Sequence, residues 1–454
     1  MDTSTTFFSE ATVKDGASPF TGRNGLGHAG HNYRHPHNDL SVEDILRDIQ
    51  ATADIPLERS RTLPAASYTS AEFLDWEVGH ILGAGWVCLA HKSQIPKPGD
   101  FINLDVLGEP LIVVHGKDGE IRVLSRVCPH RAMDIMPPGF GYDGHGPADA
   151  TEGKPGCGHT RLFLCPYHHW SFELDGRLKG CPEMHKAECF QRDDVGLKTF
   201  RCEVWHGFVF LNLSGDAAPV AEQYTELDRD LRGWNLGDMK VIITKEWDCP
   251  FNWKVLVENF MEGYHHLGAH CKTLQPLMPA RDTWTDAERA HSIRVNLPYK
   301  ESVTSSDESD FKPIPTLDPE HYRQMAVFLG QPSFLLFTAA DRVFWYRIDP
   351  VSADRSRLLT TCLVNDEALA DPKYDEKFAI AEKMLVDFHL EDMEVCTAVQ
   401  RGFYATGYQR GRLSHLEMPI WLIQRYMAAR SRGTYPTVDQ PPAPAQRSPA
   451  MTPC

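Results

Sequence analysis

The 454-residue sequence has no apolar run approaching the roughly 18 residues that a membrane span needs. Its opening stretch, Met1 to Ser18, has no basic start followed by an apolar core, so it does not read as a secretory leader. Positive charge is in deficit: 46 Lys and Arg stand against 62 Asp and Glu, a net −16. That balance argues against nucleic acid or an anionic membrane as partner, and suits an enzyme that docks a basic or mixed-charge protein. No internal repeat is visible. Neither a G-x-G-x-x-G dinucleotide fingerprint nor the C-x₄-C-x₂-C run of plant-type ferredoxins occurs. A cytoplasmic, reducing location is expected, where the twelve cysteines are free or metal-bound rather than disulfide-bonded.

What is present is the composition of a folded globular chain, 42% apolar and 24% charged, long enough for two or three domains. Residues 1–40, rich in Gly, His, Asn and Ser, read as a mobile arm. Over 41–84, "SVEDILRDIQATA" and "TSAEFLDWEVGHIL" each set Ser or Thr ahead of an acid and apolar residues at helical spacing, which predicts two short capped helices. From 85 to 215 the texture is that of a small β domain. "PLIVVH", "IRVLSRV", "RLFLC", "HWSFEL" and "GFVFLNL" are separated by turn signals such as Lys117-Asp118-Gly119 and Asp175-Gly176, the latter predicting a tight hairpin. From 216 to 433 helices and strands mix. "FNWKVLVENFMEGYHH" reads as a helix, "DRVFWYRIDP" and "SRLLTTCLV" as strands. "DEKFAIAEKMLVDFHLEDMEVCTAVQRG" reads as a long periodic helix ending at Gly402. The Pro-rich residues 434–454 predict an unstructured tail.

Two constellations carry chemistry. The β domain holds Cys128-Pro-His130 and Cys165-Pro-Tyr-His168, two Cys and two His in paired short spacings, which makes a four-ligand metal site. One tetrahedral zinc could take all four side chains, or a [2Fe–2S] cluster could place two thiolates on one iron and two imidazoles on the other. The second constellation is Glu262-Gly-Tyr-His265 followed by His270. Residues five apart on an ideal helix diverge by about 140°, so the two histidines share an ion only if the helix ends or distorts, and Gly268 is placed to allow that. A two-histidine, one-carboxylate site then needs a further oxygen ligand and keeps positions open for O₂.

The segments "VCPHRAMDI" and "CPYHHWSFELDGRL", with "NWKVLVENFMEGYHHLGAH" and "LEDMEVCTAVQRG", resemble the α subunits of Rieske non-haem iron oxygenases, in the right order over roughly 60 to 430. The resemblance implies an α+β chain: an all-β Rieske [2Fe–2S] domain, then a catalytic domain whose antiparallel sheet is flanked by helices. It implies cluster ligands Cys128, His130, Cys165 and His168, and mononuclear Fe(II) ligands His265, His270 and Asp392, with Glu391 and Glu394 as rivals for the carboxylate. It gives Glu262 a different role, bridging His168 of one subunit to His265 of its neighbour in a head-to-tail homotrimer, possibly with a small β subunit. Electrons would come from NAD(P)H through a separate reductase, with or without a ferredoxin, and O₂ would be spent on a small organic substrate. Thirty-four residues, 131–164, separate the two cluster motifs, longer than the family's usual gap. They include a second C-x-H, Cys157 and His159, read as belonging to the insertion. His169, His266, Trp253, Cys362 and Cys396 read as bystanders or packing residues, and Tyr264 as packing or lining the iron site.

For substrate, an aromatic compound or aromatic acid is the leading expectation, and a quaternary ammonium compound the alternative. Phe334, Phe337, Trp345 and Tyr346 could supply an aromatic cage for the cation, with strand alternation burying about half of them in the core. Arg281 or Arg342 would suit a carboxylate. A reading of another class, an electron carrier or a zinc-stabilised binding protein, leaves some 200 residues beyond the β domain unexplained.

Overall fold

The computed structural model describes residues 39–136, 157–303 and 310–436. Residues 1–38 of the arm expected over 1–40, the stretch 137–156 of the inserted segment and residues 437–454 of the tail lie outside them. Among the described residues no helix is long and apolar enough to cross a membrane.

The chain begins with α1 (Val42–Ala53), α2 (Ala66–Thr69) and α3 (Ala71–Glu77). Ser41 caps α1 by accepting from the Asp44 N–H, and Ser70 caps α3 through the Phe73 N–H, the two capped starts that the sequence predicts. Then follow β1 (Val87–His91), β2 (Asp100–Val106), β3 (Glu109–His115), β4 (Ile121–Ser125), β5 (Cys157–His159), β6 (Phe163–Leu164), β7 (Ser171–Phe172), β8 (Leu178–Gly180), β9 (Thr199–Trp205) and β10 (Phe208–Asn212). They form a seven-stranded antiparallel sheet in the order β1-β10-β9-β4-β3-β2-β5 and a small sheet β6-β7-β8. The Asp175-Gly176 turn joins β7 to β8, with Gly176 at φ +90°, where a side chain would also press on the Leu197 carbonyl.

After α4 (Val220–Gln223) and α5 (Thr225–Leu231) the chain lays down β11 (Lys240–Cys249) and α6 (Trp253–Phe260). Next come β12 (Trp284–Thr285), β13 (Ser292–Pro298), β14 (Gln324–Gly330), β15 (Phe334–Thr338), β16 (Val343–Ser352) and β17 (Arg355–Val364). The last elements are α7 (Asp366–Leu369), α8 (Tyr374–Phe403) and α9 (Met418–Ser431). The second sheet is an antiparallel meander from β12 to β17, with β11 added beyond β17.

Strand alternation decides which core each side chain enters. On β15, Leu335 and Phe337 face the core shared with α6 and α8, while Phe334 and Leu336 face the β domain. On β16, Phe344 and Tyr346 divide from Val343 and Trp345 in the same way. Phe208 and Phe210 of β10 meet that second face, with Phe208–Phe334 and Phe210–Phe334 ring centroids 5.1 and 5.0 Å apart. The middle of the second sheet, β14 to β16, is thus buried on both sides, which is why these strands read as near-continuous apolar runs. All four aromatic candidates of 334–346 are buried, two on each face, rather than half of them.

Helix α6 is tied to α3 by a fully buried ion pair, Lys254 Nζ to Glu77 Oε1 at 2.7 Å. Trp253 Nε1 donates to the same carboxylate at 3.1 Å, and Lys254 also reaches Asn252 Oδ1 at 2.9 Å. Removing one partner leaves a buried charge. Lys254→Ala is therefore expected to cost about 3–5 kcal/mol in urea unfolding, and Lys254→Met with Glu77→Leu to recover most of it.

Candidate metal centres

The two cysteine loops of the β domain close in the same way. In one, Ala132 N–H donates to Cys128 O at 3.0 Å and Cys128 N–H to Met133 O at 2.8 Å. In the other, His169 N–H donates to Cys165 O at 3.0 Å and Cys165 N–H to Trp170 O at 2.7 Å. Each loop spends one left-handed residue on the turn, Ala132 at φ +56° and His169 at φ +58°. His169 is itself exposed. The loops set Cys128 and Cys165 on the core side, 1% and 2% exposed, and the half-buried His130 and His168 outside them. The imidazole centroids are 4.8 Å apart, and His130 stacks on Trp170 at 4.6 Å. Burial, with the Cys165 thiol adjacent, pushes the Cys128 thiol up to about 11, and His168 Nδ1 is buried without a hydrogen-bond partner among the described residues.

Around one zinc the ligand atoms lie within roughly 4 Å of each other. Here the two buried thiols lie on the core side and the two imidazoles, 4.8 Å apart between centroids, lie outside them, a two-and-two division that fits a cluster with two thiolates on one iron and two imidazoles on the other. Cys157 is exposed on the edge strand β5, which pairs with β2, and His159 Nδ1 sits 2.9 Å from Asp100. That second C-x-H stands apart from the buried thiols.

At the other centre α6 stops at Phe260, and a short 3₁₀ turn, Tyr264–Leu267, follows. The break falls earlier than Gly268. Glu262 makes it: its Oε2 accepts from the Tyr264 and His265 backbone N–H groups, while Oε1 accepts from His265 Nδ1 at 2.8 Å. Gly263 permits the close pass, since a Cβ there would come 2.8 Å from Thr283 Cγ2. His270, fully buried, turns its Nδ1 to Glu391 Oε2 at 2.6 Å. Both histidines therefore aim Nε2 at Asp392 Oδ1, at 3.6 Å from His265 and 3.0 Å from His270. Asn259 Nδ2 donates to the same oxygen at 2.8 Å. Burial acts to lower both histidine pKa values, but the carboxylates outweigh it and the net shift is upward: Glu262 then Asp392 for His265, Asp392 then Glu391 for His270.

The neighbouring groups face elsewhere. His266 Nδ1 pairs with Met278 O at 3.0 Å, burial holding it down to about 4. Glu394 and Tyr264 are exposed, and Trp253, Cys362 and Cys396 are buried in packing. Arg342 is locked to Asp341 and Asp310, and Arg281 is exposed beside Asp282.

Sequence reasoning weighed Glu391 only as a rival ligand and passed over Asn259 and Thr273. Thr273 Oγ1 donates to Glu391 Oε2 at 2.6 Å, and so fixes the carboxylate that fixes His270. Such outer partners tune metal affinity. Glu391→Ala is expected to weaken Fe(II) binding about 10- to 100-fold in an anaerobic titration while leaving the β-domain cluster intact.

Two metal centres in one chain, one fitted to hold single electrons and one to leave room for O₂, make the protein a terminal oxygenase. It belongs to the Rieske oxygenases: the Rieske [2Fe–2S] domain family matches residues 85–201, and the catalytic domain of the ring-hydroxylating α subunit matches 236–433. The carnitine monooxygenase oxygenase subunit of Acinetobacter pittii is 28% identical over 82% of this chain and 92% of its own length. The chloroplastic choline monooxygenase of Arabidopsis thaliana is 24% identical over 86% and 87%. A solved quaternary ammonium Rieske monooxygenase shares the fold with TM-score 0.70 at 24% identity, covering 84% of this chain and 98% of that one.

Proposed function

We propose that the protein, supplied by a separate reductase, oxidises a quaternary ammonium compound with O₂. Cys128, Cys165, His130 and His168 would hold the [2Fe–2S] cluster, and His265, His270 and Asp392 the Fe(II). The bound groups would supply single electrons and an open coordination site for O₂. One oxygen atom would enter a C–H bond of the substrate, and the other would leave as water with two electrons and two protons.

The chain's own residues orient these groups. Glu262 and Glu391 hold the outer nitrogens of the two histidines, so that only Nε2 is left for metal. The observation that carries the substrate class is the relatives' names over most of the chain, carnitine and choline, which favour the alternative over the aromatic expectation. The setting agrees. Phe260, next to the Asn259 that donates to Asp392, lies 5.0 Å from Tyr346, so aromatic rings pack close to the triad. Of the arginines considered for a carboxylate, Arg342 is committed to Asp341 and Asp310, and Arg281 is exposed beside Asp282.

The test is NADH-driven O₂ uptake by the metal-loaded protein with a surrogate reductase. Uptake matched by product from a trimethylammonium compound is expected, and product from an aromatic acid instead would restore the aromatic reading.

A further inference from the structure

Helix α8 turns a stripe of Ala381, Leu385, His389, Cys396, Gln400 and Phe403 into the core. His389 sits one turn before Asp392 on that face, about 4.5 Å of helix rise away. It is 1% exposed, and neither ring nitrogen has a hydrogen-bond partner among the described residues. Two other buried histidines are paired, whereas His389 has both ring nitrogens unpaired among the described residues. His91 pairs with Ser93 and with Leu236 O, and His266 with Met278 O. A buried polar group left unpaired is costly, and sequences seldom keep one without use.

The surroundings of His389 are aromatic. Trp247 lies 4.2 Å and Tyr346 6.5 Å away, ring centroid to centroid, and the Trp247 N–H is already spent on Thr360 Oγ1 at 3.0 Å. The imidazole therefore brings a donor and an acceptor to aromatic surroundings one helical turn from Asp392. Burial holds it down to about 4, so it is neutral and offers both.

We propose that His389 is a specificity-determining contact, its ring N–H donating to an oxygen-bearing group, carboxylate or hydroxyl, at the end of the substrate away from the reacting carbon. The inference rests on the reading that substrate lies beside the His265–His270–Asp392 centre.

The test uses the metal-loaded full chain, anaerobically, in calorimetric titrations with three probes: butyltrimethylammonium, its ω-hydroxy analogue and trimethylammoniobutyrate. Wild type is expected to bind at least one oxygenated probe about tenfold more tightly than the alkyl one, the scale of one buried hydrogen bond. Which oxygenated probe gains identifies the group. His389→Phe should erase that preference and keep alkyl-probe affinity within about threefold, and His389→Gln should retain part of it. The Phe variant should melt no lower than wild type, because no protein hydrogen bond is lost. A preference unchanged in His389→Phe, absent in wild type, or lost together with all binding overturns the proposal. If wild type binds none of the three, the quaternary ammonium reading fails separately, and benzoate against toluene becomes the matched pair. The same loss of preference is expected there, and no binding of either also overturns the role of His389.

Discussion

Replacing Asp392 by alanine is expected to drop the iron count from about three to about two per chain, leave the cluster absorption untouched, and cut substrate oxidation at least about 1000-fold. Among the described residues Asp392 supplies the one anionic oxygen in reach of both imidazoles. Nothing nearby takes its place: Glu391 is held by His270 and Thr273, and Glu394 is exposed. Two neutral imidazoles hold Fe(II) weakly. Losing the metal forfeits several kcal/mol of barrier lowering, at about 1.4 kcal/mol per tenfold in rate. Iron and sulfide analysis beside turnover decides it. An unchanged iron count would move the third ligand elsewhere.

Glu262→Gln is expected to behave differently: full iron content, an unchanged cluster spectrum, and a passage of electrons from cluster to iron slowed about 10- to 100-fold. Glutamine preserves shape and one acceptor but not the charge that aligns His265 Nδ1 at 2.8 Å. The role proposed for Glu262 also needs a neighbouring subunit. Around it, Tyr264 and Leu267 are 43% and 54% exposed, and beside His168 the Tyr167 ring is 50% exposed, apolar surface of the kind a neighbour covers. Rapid mixing of the reduced protein with O₂ and substrate reads the step directly. A parallel loss of iron would make Glu262 a structural support only.

The sequence showed most of this architecture because period and punctuation carry it. Ser41 and Ser70 announce their helices, and Gly176 announces its hairpin. What it hid was depth. "GFVFLNL" reads as a strand, but nothing in it says that Phe208 and Phe210 meet Phe334 while Val209 and Leu211 enter another core. At the iron centre the helix break was anticipated and its cause misplaced. Glycine is the visible breaker, yet a carboxylate capping two backbone N–H groups does the work at Glu262. Arg342 seemed free to meet a substrate because its partners, Asp310 and Asp341, are matched to it only by the fold. His389 resembled any polar residue on a long helix until its burial and its missing partners were known.

The edge strand β5 has a practical consequence. Before the undescribed stretch, Met136 is packed into the β domain at 4% exposure; after it, Ile102 and Asp100 of β2 pair with Cys157 and His159. Both ends are thus anchored ahead of Cys165. Added chain between them costs closure entropy that grows only slowly with length. A fluorescent reporter or affinity module spliced between 137 and 156 would pull on two unlike anchors: the β2–β5 pairing on one side, and on the other Met136, which packs in the core that holds both the Cys128 and the Cys165 thiols.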